Sequence, residues 1–146
     1  MRLTKDADIA ALLEKTRTIA IVGASEKPDR PSHGVTRFLI DEGYEVYPVN
    51  PGLAGQMLLG RTVYASLRDI PADIDLVDVF RQPRFLRGIV EAAVDIGAGA
   101  IWGQLGVVDE RAAIEAERAG LDVVMDRCPK IELPRLRAAG LLGQRQ

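Results

Sequence analysis

The sequence predicts one α/β domain built on a doubly wound parallel sheet, and three observations support this. Short apolar runs rich in β-branched residues alternate along the 146 residues with stretches whose apolar residues recur at helical spacing. The short runs are apolar at almost every position, which is typical of strands covered on both faces. Strands that alternate with helices favour a parallel sheet, because right-handed helical crossovers join parallel neighbours.

Length and composition limit the number of domains and the kinds of partner that the chain can have. A chain of 146 residues is long enough to bury a full core as a single domain, 1–146, with its core at about 18–136. The net charge is −2 with both signs interspersed, which argues against a nucleic acid or an anionic membrane as partner. One cysteine, no apolar run of about 20 residues and no secretory signal at the start predict a soluble cytoplasmic protein.

The first half of the chain predicts two helices and two strands. Residues Asp6–Glu14 have helical spacing, and the run TIAIVG is a buried strand that ends at Gly23. Ser32 precedes the helical stretch HGVTRFLIDEG, and we expect it at the N-cap, where its hydroxyl accepts a bond from a first-turn amide. Gly43 ends this helix, and the strand YEVYPVN follows.

The second half continues the alternation after a looser region at 52–71, where we expect a short strand around Val63 and a helical turn at Ser66–Ile70. The strand IDLVDVF leads to a helix that begins near Pro83. The strand AGAIWGQLG, the helix DERAAIEAERAG and the strand LDVVMDR complete the pattern, and residues 138–146 are expected to fray. The whole predicts a Rossmann-like domain.

Ligands of such sheets bind beyond the carboxyl ends of the strands, near the point where the strand order reverses. The residues that the sequence puts at these ends are Gly23, Ala24, Ser25, Asn50, Pro51, Val79, Phe80, Arg81, Trp102, Gln104, Asp126 and Cys128.

The first of these strand ends is a candidate phosphate site. Gly23 lets a ligand approach the backbone, and the helix that begins near Ser32 directs free amides and its positive end toward an anion. The long loop ASEKPDRP predicts a wider groove than that of a tight dinucleotide loop. Gly23 and Ser32 also fit a purely structural role, as a tight strand exit and a helix cap.

An NAD site is less well supported. Its fingerprint is G-x-G-x-x-G with an acidic residue at the end of the second strand, which bonds the ribose hydroxyls. Gly23 lacks the second glycine, and the second strand ends at Asn50. A missing carboxylate suits a more heavily phosphorylated ribose, so an NAD(P)-dependent oxidoreductase domain stays an alternative.

The pieces VGAS, RPSHGV, GYEVYPVNP, VYASLRDIP, VDVFR, IWGQLG and GLDVVMDRCPKIE, in this order, resemble the small CoA-binding proteins. The same domain opens the CoA ligases of the succinyl-CoA synthetase type, and the resemblance runs from about Thr18 to Leu136. It implies coenzyme A as the ligand. The contacts that it implies come from Gly23, Ala24, Ser25, Asn50, Pro51, Val79, Phe80 and Arg81, with Ser32 and Gln104 in support.

The residue chemistry agrees with this implication. Arg81 offers a bidentate fork for a phosphate, and Phe80 offers an apolar surface for adenine or the pantetheine arm, although a core role suits it equally. The ligases carry a lysine after the Pro-Gly turn where this chain has Leu53, which shifts the expected phosphate contact to Arg81 or Lys27. Other reserve cations are Arg30 and Arg84.

No catalytic constellation or metal-ligand set is predicted. The resemblance implies that the ligases work through a phosphorylated histidine on a second domain and an ATP-grasp domain, and His33 matches no such motif. Asp75 and Asp78 fall on opposite faces of one strand, whereas Asp126 could meet Asp78 at the sheet edge. Cys128 is interpreted as a buried small residue or as a thiol able to form a mixed disulfide with CoA.

The leading hypothesis is therefore a non-catalytic CoA or acyl-CoA binding protein that acts as a carrier, sensor or regulatory partner. A CoA-ligase subunit that needs a separate ATP-grasp chain is an alternative from the enzyme class. A domain without a ligand is the remaining option.

Overall fold

The computed structural model describes residues 1–143 and forms an α/β domain. Its strands are β1 Thr18–Val22, β2 Glu45–Val49, β3 Met57–Leu58, β4 Arg61–Thr62, β5 Leu76–Val79, β6 Ala100–Gly103 and β7 Asp122–Val124. Its α-helices are α1 Asp6–Lys15, α2 Pro31–Asp41, α3 Leu86–Asp95, α4 Glu110–Arg118 and α5 Pro129–Ala138. Short 3-10 turns cover Pro51–Leu53, Leu67–Asp69 and Pro83–Phe85. No helix within residues 1–143 is long and apolar enough to cross a bilayer.

The main sheet has five parallel strands in the order β2-β1-β5-β6-β7, which confirms the predicted fold class. The chain first builds outward from β1 to β2 and then crosses back to β5 on the other side of β1. The order therefore reverses between β1 and β5, and the chain leaves these two strands toward opposite faces of the sheet, to α2 and to α3. A crevice is expected there in any doubly wound sheet.

Helices cover both faces of this sheet, as the apolar strands require. Ile19, Ile21 and Leu76 pack into the cluster that contains the buried side chains of α1, α2 and α5. Ala20 and Val77 point the other way, into the cluster formed with α3 and α4. All four residues of β5 are buried, so the central strand is shielded from water on both sides.

The helix α2 begins earlier than predicted, and the expected N-cap at Ser32 is wrong. Arg30 is the N-cap, Pro31 is the first helical residue, and Ser32 lies inside the helix with 4% of its surface exposed. Proline suits the first helical position because its fixed φ matches the helix and its missing N–H is not needed there. Pro31 therefore moves the helix start ahead of the serine.

The helix α5 was not predicted. Pro134 inside it argues against a helix when only local sequence is considered, although Pro129 occupies the favourable first position. Leu133 and Leu136 are 1% and 0% exposed, so burial against α1 and α2 outweighs the missing backbone bond at Pro134.

Two further segments differ in detail. The strand expected around Val63 is a two-residue strand just before it, paired antiparallel with β3. The fraying expected at 138–146 falls partly on residues 144–146, which lie outside the described residues. Leu142 is buried and the Leu141 amide donates to the Leu136 carbonyl, so this part of the tail packs against the core.

Candidate functional site

A cavity of about 740 Å³ opens at the carboxyl edge of the sheet, where the strand order reverses. The loops after β1, β2 and β5 line it, and one face of α3 closes its side. The volume lies within the usual range for small-molecule and cofactor sites, roughly 300–1,000 Å³. The topology thus places a ligand-sized space at the position expected for this class of sheet.

Seven of the ten predicted site residues line this cavity: Gly23, Ala24, Ser25, Asn50, Pro51, Phe80 and Arg81. The other three lie away from its wall. Val79 is fully buried on the α3–α4 face of the sheet. Ser32 is buried within α2, and Gln104 is 6% exposed just after β6.

Gly23 lies where the ends of β1 and β5 pack closely together. Its φ is +90°, and a Cβ added there would lie 2.7 Å from the Phe80 carbonyl oxygen. The Gly23 and Ala24 amides both donate to the Val49 carbonyl, at 3.0 and 3.2 Å. These two amides are already engaged, so Gly23 lets two strand ends meet, and its approach to a ligand stays a prediction for a residue that lines the cavity.

Asn50 ties the loops of β1 and β2 together. Its Nδ2 donates to the Ala24 carbonyl at 2.7 Å, and its Oδ1 accepts from the Gly52 amide at 2.8 Å. Both ends of the amide side chain are therefore used within the protein. Asn50, which stands where NAD-binding domains carry an acidic residue, therefore shapes the cavity wall.

Within the described part of the chain, three cations line the cavity: Lys27, Arg30 and Arg81. None of them forms an ion pair with an acidic side chain of residues 1–143, whereas several arginines elsewhere on the protein do. Among residues 1–143, Glu26 is the one acidic residue in the lining. This rim therefore carries positive charge available to an anion.

Arg81 is held against an aromatic ring. Its guanidinium carbon lies 4.2 Å from the Phe85 ring centroid, and that of Arg84 lies 4.8 Å from the same centroid. Only Arg81 of the two lines the cavity. Stacking restricts the motion of the planar group while leaving its N–H donors free for a ligand.

The apolar wall was missed from the sequence. It includes Leu53, Leu67, Phe85, Ile89 and Ala92. Phe85, just before α3, recurs at helical spacing with Ile89 and Ala92, so the three share one face, which is the sequence signal that could have identified them. The apolar wall and the cationic rim face one space.

Other candidates do not join this site. Cys128 is 7% exposed and outside the lining, and neighbouring Arg127 is engaged with Glu132 at 2.8 Å. Asp126 accepts from the Gly106 amide at 2.8 Å, while Asp78 is buried within β5, so the two carboxylates form no pair. Within residues 1–143 there is no cluster of three or more metal-ligating side chains.

The sheet order and the position of the cavity define a doubly wound, Rossmann-like α/β domain. Residues 17–134 match the CoA-binding domain family, and this chain belongs to that family. The resemblance noted from the sequence pieces is therefore confirmed.

Relatives of similar length support the assignment. The Bacillus subtilis protein YneT is 38% identical over 131 residues, which cover 90% of this chain and 96% of YneT. A solved structure of a protein from Pyrococcus horikoshii superimposes with a TM-score of 0.88 at 40% identity, covering 92% of this chain and 93% of that one.

The chain is also similar to part of a ligase. Subunit alpha of an ADP-forming acetate–CoA ligase from Pyrococcus furiosus is 32% identical over 79 residues. These residues are 51% of this chain but only 17% of that subunit. The similarity therefore concerns one domain of a much longer protein.

Proposed function

We propose that this protein binds coenzyme A, free or acylated, in the cavity between the β1 and β5 ends. It acts in the cytoplasm as a carrier, sensor or regulatory partner, without catalysis of its own. The observation that carries the proposal is the pairing of unpartnered cations with an apolar wall in one ligand-sized space of a CoA-binding family domain.

The two parts of the cavity suit the two parts of this ligand. Coenzyme A has a diphosphate and a 3′-phosphate, which Lys27, Arg30 and Arg81 can neutralise by charge-assisted hydrogen bonds. Its adenine and pantetheine arm need apolar contact, which the α3 wall and Leu53 supply. Arg81 is the preferred 3′-phosphate partner because its guanidinium is preoriented on Phe85.

The side chain of Asn50 argues against a nicotinamide dinucleotide as the ligand. A ribose diol is normally bonded by a carboxylate at this strand end. Asn50 donates to Ala24 and accepts from Gly52, so it has little capacity left for a ribose. Isothermal titration can nevertheless distinguish a preference for NADPH from a preference for CoA.

A second candidate function is that of a ligase subunit that works with a separate ATP-grasp chain. The similarity to the alpha subunit of an acetate–CoA ligase favours it. Copurification with such a chain, together with CoA-dependent nucleotide hydrolysis by the pair, would support this role. A chain that binds CoA but has no such partner would support the non-catalytic role.

Isothermal titration under reducing conditions with CoA, dephospho-CoA, NAD and NADPH tests the proposal. We expect saturable binding of CoA, weaker binding of dephospho-CoA, and little heat from either nicotinamide dinucleotide. A preference for NADPH, or no binding of any of the four, would overturn it. Acetyl-CoA in the same series then shows whether an acyl group changes the affinity.

A further inference from the structure

Three buried side-chain atoms in residues 1–143 have no hydrogen-bond partner, and all three lie at neighbouring strand ends. They are both carboxylate oxygens of Asp78 and the Oε1 atom of Gln104. Asp78 is 0% exposed and Gln104 is 6% exposed. Buried polar atoms without partners are rare and costly, so their co-occurrence requires a physical cause.

Strand geometry puts these side chains on the same face of the sheet. Asp78 in β5 is the register partner of Trp102 in β6. Side chains alternate along a strand, so Gln104, two residues beyond Trp102, emerges on the Trp102 side. The Gln104 amide donates to the Val79 carbonyl at 3.3 Å, which keeps this register past the end of β6.

The residue between them supports this orientation. A Cβ at Gly103 would point toward the Val107 carbonyl and the Met125 sulfur, on the α3–α4 face. Gln104 therefore points to the opposite face. Neighbouring strands lie about 4.8 Å apart and two residues along a strand span roughly 6.6 Å, so the diagonal distance is on the order of 8 Å, within reach of a long side chain.

The charged and titratable groups around this face do not neutralise Asp78. α2 contributes His33, α5 contributes Lys130 and Glu132, and Cys128 precedes α5, while the buried side chains of α1 are apolar. None of them hydrogen-bonds or pairs with Asp78, and Glu132 is engaged by arginines. Burial raises the pKa of Asp78 well above its ordinary value, and the nearby Val79 amide opposes this only in part.

With an ionised carboxylate, all three orphan atoms are acceptors and cannot satisfy one another. One proton changes this, because a carboxylic acid has an O–H donor beside its carbonyl acceptor. We propose that Asp78 is a neutral carboxylic acid in the folded protein and that its O–H donates to Oε1 of Gln104, joining the carboxyl ends of β5 and β6.

This hydrogen bond would make Asp78 a positioning residue for the cavity. The strand that carries it continues into Phe80 and Arg81, which line the cavity, and the Phe80 amide donates to the Val22 carbonyl at 2.8 Å. A neutral Asp78 allows the segment that leads to Phe80 and Arg81 to stay packed in an apolar environment. The inference does not depend on which ligand the cavity takes.

Infrared spectroscopy of the wild-type protein at pH 7 tests the proton directly. We expect the carbonyl stretch of a protonated carboxylic acid, absent in Asp78→Asn and retained in Asp73→Asn, a matched change at an exposed aspartate. Isotopic labelling of aspartate identifies the band if Asp78→Asn fails to fold. Gln104→Met should keep the band but shift it, because the acceptor oxygen is removed.

Each other outcome rejects part of the idea. No acid band in the wild type means that Asp78 is ionised. If the band has the same frequency in Gln104→Met as in the wild type, Asp78 donates its proton to another acceptor. Either result overturns the proposed bond.

Thermal unfolding across pH gives an independent measurement. A raised folded-state pKa means that the stabilising contribution is complete below about pH 4, the unfolded aspartate value, and is lost as pH rises toward the folded-state pKa. The melting temperature of Asp78→Asn should therefore rise relative to wild type between pH 4 and pH 8. A difference that is independent of pH would contradict a protonated Asp78.

Discussion

The guanidinium carbon of Arg81 lies 4.2 Å from the centroid of the Phe85 ring, at the point where the cavity's cationic rim meets its apolar wall. Arg84 stacks near the same ring at 4.8 Å but does not line the cavity. Substituting each arginine in turn therefore distinguishes an effect at the cavity from an effect on the stack around Phe85. They offer a matched pair of substitutions.

We expect Arg81→Ala to weaken CoA binding about ten- to a hundredfold, because a charge-assisted hydrogen bond contributes roughly 1.5–3 kcal/mol. Arg84→Ala should change it little. Titration with CoA and dephospho-CoA assigns the phosphate: a loss confined to CoA indicates the 3′-phosphate. An equal loss on both ligands would remove that role and indicate a group that they share.

Gly23 provides a prediction about stability. Gly23→Ala should destabilise the fold because the new Cβ meets the Phe80 carbonyl at 2.7 Å and φ is +90°. Gly120→Ala is the control, with φ +91° and nothing within 4 Å of the new Cβ. We expect roughly 1 kcal/mol for the control and about 1–3 kcal/mol more at position 23, measured by urea unfolding. Equal losses would show that the strand ends can move apart.

Asn50 should matter for both stability and binding. Asn50→Ala removes the bonds to Ala24 and Gly52, which are 2.7 and 2.8 Å long, at a cost of about 1–3 kcal/mol. Asn50→Asp retains the acceptor for Gly52 but places a carboxylate against the Ala24 carbonyl. We expect both variants to bind CoA more weakly in titration. Wild-type affinity in both would mean that the joined loops are not required for the cavity.

The ion pair between Asp6 and Arg135 predicts a pH dependence. Two hydrogen bonds of 2.8 and 2.9 Å from Arg135 lower the pKa of Asp6 and tie α1 to α5. Because the folded-state pKa of Asp6 is lower than its unfolded value, the ion pair stabilises the protein above about pH 4. This stabilisation is lost as the pH falls through the folded-state pKa. Asp6→Asn should therefore melt at a slightly lower temperature than wild type at pH 7, with the difference closing in acid.

Asp8→Asn is the control for this pair, since Asp8 lies in the same helical turn and has no ion pair in residues 1–143. Added salt should shrink the Asp6 effect, because the pair is exposed and screened. A difference between Asp6→Asn and wild type that persists at the lowest pH would argue against the ion pair as its cause.

The strand ends were predictable because strand and helix patterns are local properties of the chain. Gly23, Asn50 and Arg81 were identified as site candidates in this way, since parallel strands bring their carboxyl ends to one edge. Ser32 was misplaced because Pro31, one residue earlier, sets the helix start. The helix at Pro129–Ala138 was missed because packing of Leu133 and Leu136 outweighs an internal proline.

The sequence by itself determined the alternation of strands and helices, the edge of the sheet at which the cavity opens, and the family. Only the tertiary structure decided which cations stay unpaired, that Phe85 supports Arg81, and that Asp78 and Gln104 are buried with acceptor atoms that have no hydrogen-bond partner. The physical reason is that periodicity is set by neighbours in the chain. Burial and pairing are set by residues that are distant in sequence and adjacent in the fold.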